Sequence, residues 1–135
     1  MSDYMEILRE RGQGALDRKM GIELLEASPQ RLVATMPVEG NTQPLGLLHG
    51  GANVVLAESL GSIGTQLHAG PDRMIVGVDI NATHHKSATS GIVTAVATPV
   101  SLGKTTCCYE IVITNEKGER TCTARITCLI LAKRD

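Results

Sequence analysis

The sequence predicts an α+β fold in which about five or six antiparallel strands surround one long helix. Three observations predict it: one apolar segment with helical periodicity over residues 49–67, strand-like runs on both sides of it, and turn clusters between those runs. At 135 residues the chain suits a single domain, 1–135. A chain of that size buries roughly two thirds of the surface its unfolded form exposes, so one core suffices without staples. No internal repeat, low-complexity tract or linker divides it.

Residues 1–18 place Met5, Ile7, Leu8 and Leu16 among charges, the pattern of a short surface helix followed by a Gly-punctuated turn. Runs at 22–27 and 31–38 flank Ser28-Pro29-Gln30 and predict a first hairpin. Residues 40–46 read as a loop. In the central segment Leu56, Leu60, Ile63 and Leu67 recur at steps of three or four. It is apolar or small on every side, which predicts a buried helix. Gly61 and Gly64 inside it each cost about 1 kcal/mol relative to Ala, so they predict close packing by another backbone. After Gly70-Pro71-Asp72 come four strand-like stretches, 74–83, 91–101, 105–115 and 119–131, with Glu116-Lys117-Gly118 as a hairpin turn. Val93, Ala95 and Ala97 alternate with Thr94, Val96 and Thr98.

Composition narrows the function. The formal net charge is -1 and no Lys/Arg block occurs, so neither nucleic acid nor an anionic membrane is an expected partner. Tyr4 and Tyr109 are the only aromatic residues, which removes base stacking as a binding mode. The N-terminus is charged and lacks an apolar run, and no stretch approaches the ~20 apolar residues of a membrane span; a cytoplasmic protein is expected. Cys107, Cys108, Cys122 and Cys128 contain no C-x2-C pair, and they read as reduced, small apolar residues rather than metal ligands. Cys107 and Cys108, adjacent on a strand, are expected to point to opposite faces.

The densest functional signal runs from Asn41 through Gln43 and Gly46 to His49, Gly50 and Gly51, at the helix start. Glycine lets backbone approach a ligand, and the first-turn N–H groups of a helix have no partner within it. Gly50 and Gly51 therefore suit a carbonyl or oxyanion site, although a tightly packed turn explains the same pair. Glu58 stands mid-helix with Val54, Val55, Gly61 and Ser62 at the positions three and four away. A carboxylate there is costly to bury without partners, which marks it as a functional residue. Gly50 and Glu58 are eight residues apart, about 12 Å along the axis. They cannot grip one carbonyl from the same helix. If both act in one site, the helix start of one subunit meets Glu58 of another across a homodimer interface. Ser62, on the same face as Glu58, could orient its carboxylate or contact an acyl group.

Other candidates carry less. His49, His68, His84 and His85 match no zinc spacing, and no metal is expected. Ser59 and Ser62 lack a nucleophile elbow. Gly103-Lys104-Thr105-Thr106 has the wrong spacing for a phosphate-binding loop and reads as a hairpin turn with a solvated lysine.

Taken together, Asn41, Thr42, Gln43, Pro44, Gly46, Leu48, His49, Gly50, Gly51, Leu56, Ala57, Glu58, Ser59, Gly61 and Ser62, with Asn81-Ala82-Thr83-His84-His85 downstream, resemble the hotdog-fold acyl-CoA thioesterases. The likeness, running from about Met20 to Leu131, is to the branch with the phenylacetate-pathway and Arthrobacter-type 4-hydroxybenzoyl-CoA thioesterases, similar to the enterobactin- and menaquinone-pathway enzymes. It implies a sheet wrapped around the long helix, homodimers with shared active sites made by edge pairing of two sheets, and a dimer of dimers. It implies hydrolysis of aryl- or acyl-CoA, with Glu58 as nucleophile or general base and the Gly50 N–H polarising the thioester carbonyl. Gln43 and His49 would position the thioester or the water, and Gly51, Ser62 and His84 would contact substrate. The CoA phosphates would lie near Lys86 and the turn holding Lys104 and Thr105. CoA is part of the substrate, and no separate cofactor is implied.

Two other readings stay open: a hotdog protein that binds acyl thioesters without cleaving them, and a hotdog hydratase or dehydratase. A mid-helix carboxylate with Gln43 argues against the first. The second commonly pairs His with Asp, which the pattern here replaces with a glutamate.

Overall fold

The computed structural model describes Leu8 and residues 14–132. Its elements are α1 (Ala15–Met20), β1 (Glu23–Ser28), β2 (Arg31–Pro37), α2 (Gly50–Ala69), β3 (Ile75–His84), β4 (Ile92–Leu102), β5 (Thr106–Thr114) and β6 (Arg120–Ile130). The six strands form one antiparallel sheet in the order β1-β2-β4-β5-β6-β3, with β1 and β3 at its edges. The central helix and every expected strand form, with ends displaced by one or two residues. Most of the expected helix 1–18 lies outside the described residues. Where it is described, the expected single helix is interrupted: Leu8 is helical, but Gly14, at a φ of 101°, is not. The helix α1 starts after it, runs past the expected end and stops at Gly21, whose φ of 75° is the left-handed cap conformation that glycine adopts without strain.

Alternation decides which strand face meets α2. Leu32, Ala34 and Met36 of β2, Val93, Ala95 and Ala97 of β4, and Tyr109, Ile111 and Ile113 of β5 are all buried, their neighbours mostly less so. Cys122, Ala124, Ile126, Cys128 and Ile130 continue that face on β6. Many of these side chains are small, so the sheet can close in on the helix. The glycines of α2 complete the fit: a Cβ on Gly61 would collide with the Ile126 side chain, and one on Gly64 would lie 2.6 Å from the Tyr109 ring and 2.8 Å from Leu32 Cδ1. The close packing expected at these glycines is real, but it is made by sheet side chains rather than by a second backbone.

The helix is not covered all round. Its buried stripe is Ala52, Asn53, Leu56, Ala57, Leu60, Gly61, Gly64 and Thr65, whereas Glu58 is exposed in the single chain. The uniformly apolar reading of this segment is corrected accordingly: one side packs on the sheet, and Val54, Val55, Ser62 and Ile63 are only half-buried. All four cysteines are free and buried. Cys107 joins the core beneath α2, while Arg125 Nε donates to Cys108 Sγ at 3.0 Å, so the neighbours occupy opposite faces.

Candidate active site

Two clusters of polar side chains flank α2, one at its start and one about two turns on. The first is built on the loop before the helix. Asn41 braces that loop, its Nδ2 donating to Met20 O at 2.7 Å and Pro37 O at 2.8 Å, while its own carbonyl accepts from His49 N–H. His49 is the helix N-cap, and its Nδ1 accepts the Gly51 N–H at 2.8 Å. That bond occupies the Gly51 amide. The Gly50 N–H has no partner among the described residues, so it is the amide left for a ligand. Gln43, Gly50, Asn53, His84 and Lys86 line a cavity of about 320 Å³ here. The Gln43 Oε1 accepts from Leu45 N–H, which leaves its Nε2 to donate. Lys86 Nζ pairs with Glu119 Oε2 at 2.5 Å, and this bond, with one from Asn115, holds the Glu119 carboxyl below its ordinary range.

The second cluster is centred on Glu58. Its carboxylate lies against β3 at Gly77 and shares a cavity of about 440 Å³ with Asp17, Ser59 and Ser62. Ser62 thus stands beside Glu58 as the helical spacing requires; its Oγ is 4.0 Å from Cys128 Sγ. Asp17, brought in by α1, accepts a hydrogen bond from Ser59 Oγ at 2.8 Å. It is only 5% exposed, and burial pushes its carboxyl above the ordinary value in spite of that bond.

The expected site residues therefore fall into three places. Gln43, His49, Gly50, Gly51, His84 and Lys86 gather at the helix start, and Glu58 and Ser62 sit in the second cluster. Lys104 lines a third cavity with His68 and Arg73 at the far end of α2, roughly 28 Å from Gly50 along the helix; Thr105 follows it in the same turn. One chain does not bring Lys86 and Lys104 together, nor Gly50 and Glu58. Asn53 and Asp17 were not among the expected residues. Asn53 was accessible to inspection as a polar side chain on the stripe of Leu56, Ala57 and Leu60. Asp17 gave no such signal, because a charge on a short surface helix is ordinarily solvated.

Among the described residues no group of His, Cys, Asp or Glu is placed to hold a metal ion, and no helix is long and apolar enough to cross a membrane. Residues 45–122 match the family profile described as Thioesterase superfamily. The chain is 41% identical over 128 residues to the proofreading thioesterase EntH of Cronobacter turicensis, covering 94% of this chain and 93% of that one. It is 42% identical over 128 residues to the 1,4-dihydroxy-2-naphthoyl-CoA hydrolase of Escherichia coli, covering 94% of each. The crystal structure of a mutant thioesterase from Pseudomonas aeruginosa superposes with a TM-score of 0.88 at 38% identity, covering 93% of this chain and 92% of that one.

Proposed function

Because this chain belongs to the thioesterase superfamily and is a thioester hydrolase, we propose that it cleaves aryl- or acyl-CoA to the free acid and CoA, with Glu58 as the attacking or activating carboxylate. The observation that carries this reading is the division of the chemistry along α2, with a free amide at Gly50 and a carboxylate at Glu58 in separate cavities. The name of the Escherichia coli relative, an aryl-CoA hydrolase, supports an aromatic acyl group among the substrates.

A second copy of the chain would unite the halves. β3 is a sheet edge, so one row of its N–H and C=O groups is open to another strand. Its Gly77 lies against Glu58, and its last residue, His84, lies against Gly50. Antiparallel pairing of β3 with its own copy, about a two-fold axis between Ile80 and Asn81, would set Gly77 of each chain opposite His84 of the other. Each Glu58 then faces a thioester held at the other copy's Gly50. Val78, 57% exposed on this edge, would gain cover. Two such dimers pairing into a tetramer, in the cytoplasm, completes the proposed assembly.

The negative charge that gathers on the thioester oxygen meets the Gly50 N–H, a fixed donor that can contribute about 2.7–4 kcal/mol to the transition state. A Glu58 oxygen adds to the carbonyl carbon, the C–S bond breaks, and CoA leaves as the thiolate and takes up a proton. Water then hydrolyses the mixed anhydride and returns the free carboxylate. Alternatively, Glu58 takes the proton of a water that itself attacks. Ser62 holds that water or the acyl group, Gln43 and His49 position the thioester, and His84 lines the acyl pocket. Gly51 shapes the entry, and Lys86, Lys104 and Thr105 receive the nucleotide phosphates, Lys86 exchanging Glu119 for phosphate and the latter two coming from another subunit. Neither route draws on a metal or a further cofactor.

The test is release of free thiol from a panel of acyl-CoAs. Glu58→Ala is expected to cut kcat to below about a tenth, and on the order of 10²-fold or more, while calorimetry still registers acyl-CoA binding. Retention of more than that tenth would reject the role of Glu58.

A further inference from the structure

Asn53 stands in the first turn of α2 on its buried stripe, 5% exposed, and its Oδ1 is buried without a hydrogen-bond partner among the described residues. A buried carbonyl oxygen left unpaired costs stability, and such groups are retained where they serve a function. The other end of the amide is engaged: Nδ2 lies 3.3 Å from His84 Nδ1. An amide nitrogen can only donate, so this contact is a hydrogen bond only when Nδ1 accepts, which puts the proton of a neutral ring on Nε2. That edge of the ring faces the helix start, where a Cβ on Gly50 would lie 2.8 Å from Nε2. Gly50, Asn53, His84 and Gln43 line one cavity, so the ring N–H and the partnerless Gly50 N–H open on the same space.

We infer that His84 Nε2–H is a second hydrogen-bond donor to the thioester carbonyl oxygen beside the Gly50 N–H, and that Asn53 is the positioning residue that selects the donating tautomer. The inference rests on the thioesterase reading and adds a catalytic residue to it. A free imidazole can place its proton on either nitrogen; with the proton on Nδ1, it would turn a lone pair toward an oxygen that is gaining negative charge. Turning the Asn53 amide over would give its buried oxygen a donor, but only with that wrong tautomer. The unpartnered Oδ1 is thus the counterpart of a correctly protonated ring. Glycine at position 50 has the same explanation, since any side chain would fill the space between the two donors. No proton is transferred by His84 in this role; it only stabilises charge.

The tautomer is read without substrate. Imidazole ¹⁵N shifts of the intact protein, at about pH 8.5 where an ordinary ring is neutral, are expected to show His84 as the Nε2–H form. In Asn53→Asp, whose carboxylate can only accept, the ring should switch to the Nδ1–H form. Kinetically, His84→Ala is expected to lower kcat on the order of 10²- to 10³-fold with KM changed only a few-fold, and His84→Gln, which can present an amide N–H, to recover part of the loss. Asn53→Leu should lower kcat roughly tenfold with the melting temperature little changed, because loss of the Nδ2–His84 bond is offset by removal of a buried, unpaired oxygen from an apolar stripe. A wild-type His84 in the Nδ1–H form, or a His84→Ala enzyme that keeps about a third or more of kcat, would overturn the inference. Wild-type protein that releases no thiol from any acyl-CoA would instead defeat the thioesterase reading, and with it the catalytic role of His84.

Discussion

The Glu58 carboxylate rests against Gly77, where a Cβ would stand 3.3 Å from Oε2. That distance is tighter than ordinary van der Waals contact, so any side chain at residue 77 presses on the carboxylate. Because Gly77 is exposed in the single chain and packs against no core side chain closely, Gly77→Val should leave the fold intact, with a thermal transition that is still cooperative. A carboxylate displaced by even an ångström loses its line of attack, and kcat is expected to fall on the order of 10- to 100-fold. Stopped-flow thiol release beside a thermal melt checks both halves of this prediction.

If the two clusters complete one another between copies, two dead variants can rescue each other. Glu58→Ala lacks the carboxylate, and Gly50→Val drives a side chain into the His84 ring. In a mixed dimer one site carries both defects and the other carries neither. Random pairing of equal amounts should restore roughly a quarter of wild-type activity. Activity that stays at the level of the separate variants after dissociation and remixing, with exchange verified by mass spectrometry, would mean that each chain holds a whole site.

Gly64→Ala sets helix propensity against packing. Alanine favours an α-helix over glycine by about 1 kcal/mol, but here its Cβ would lie 2.6 Å from the Tyr109 ring and 2.8 Å from Leu32. Both neighbours are fully buried, and Tyr109 is tied by its hydroxyl, which donates to Pro29 O at 2.5 Å. Overpacking of a rigid core costs about 1–3 kcal/mol. The second effect wins, so the variant should melt several degrees lower, as calorimetry can show.

Asp17 makes stability depend on pH with a definite sign. Burial raises its folded-state carboxyl above the ordinary 3.8, so the folded protein binds the proton more tightly than the unfolded chain. Its favourable share is therefore complete below that ordinary value and is lost as pH rises through the raised one. Asp17→Asn keeps an acceptor for Ser59 and carries no charge. It should exceed wild type in melting temperature at pH 7, and the gap should shrink as pH falls toward 3.8. An equal gap at both ends of the range would contradict the assignment.

Much of this architecture was legible in residue order because periodicity and burial have one cause. Val93, Ala95 and Ala97 alternate in the sequence since every second residue of β4 meets α2, and Leu56 and Leu60 recur because a stripe of the helix meets the sheet. The pairing of Glu58 with Ser62 followed from helical spacing alone. Contacts between distant segments were not readable. Asp17 and Ser59 are 42 positions apart and Asn53 and His84 are 31 apart, and no local pattern encodes which polar groups a fold will bring together. The burial of Glu58 was misjudged for a related reason: small apolar residues on its side of α2 suggested cover that a single chain does not supply.

The four sulfhydryls have a practical bearing. All are buried, and burial pushes Cys107, Cys122 and Cys128 further from the ionised form that reacts with disulfide dyes. A colour reaction that counts liberated CoA should therefore see little of the intact enzyme. The same dye would register four equivalents per chain once the sheet lets go of its helix, so one reagent can follow both turnover and denaturation in a single cuvette.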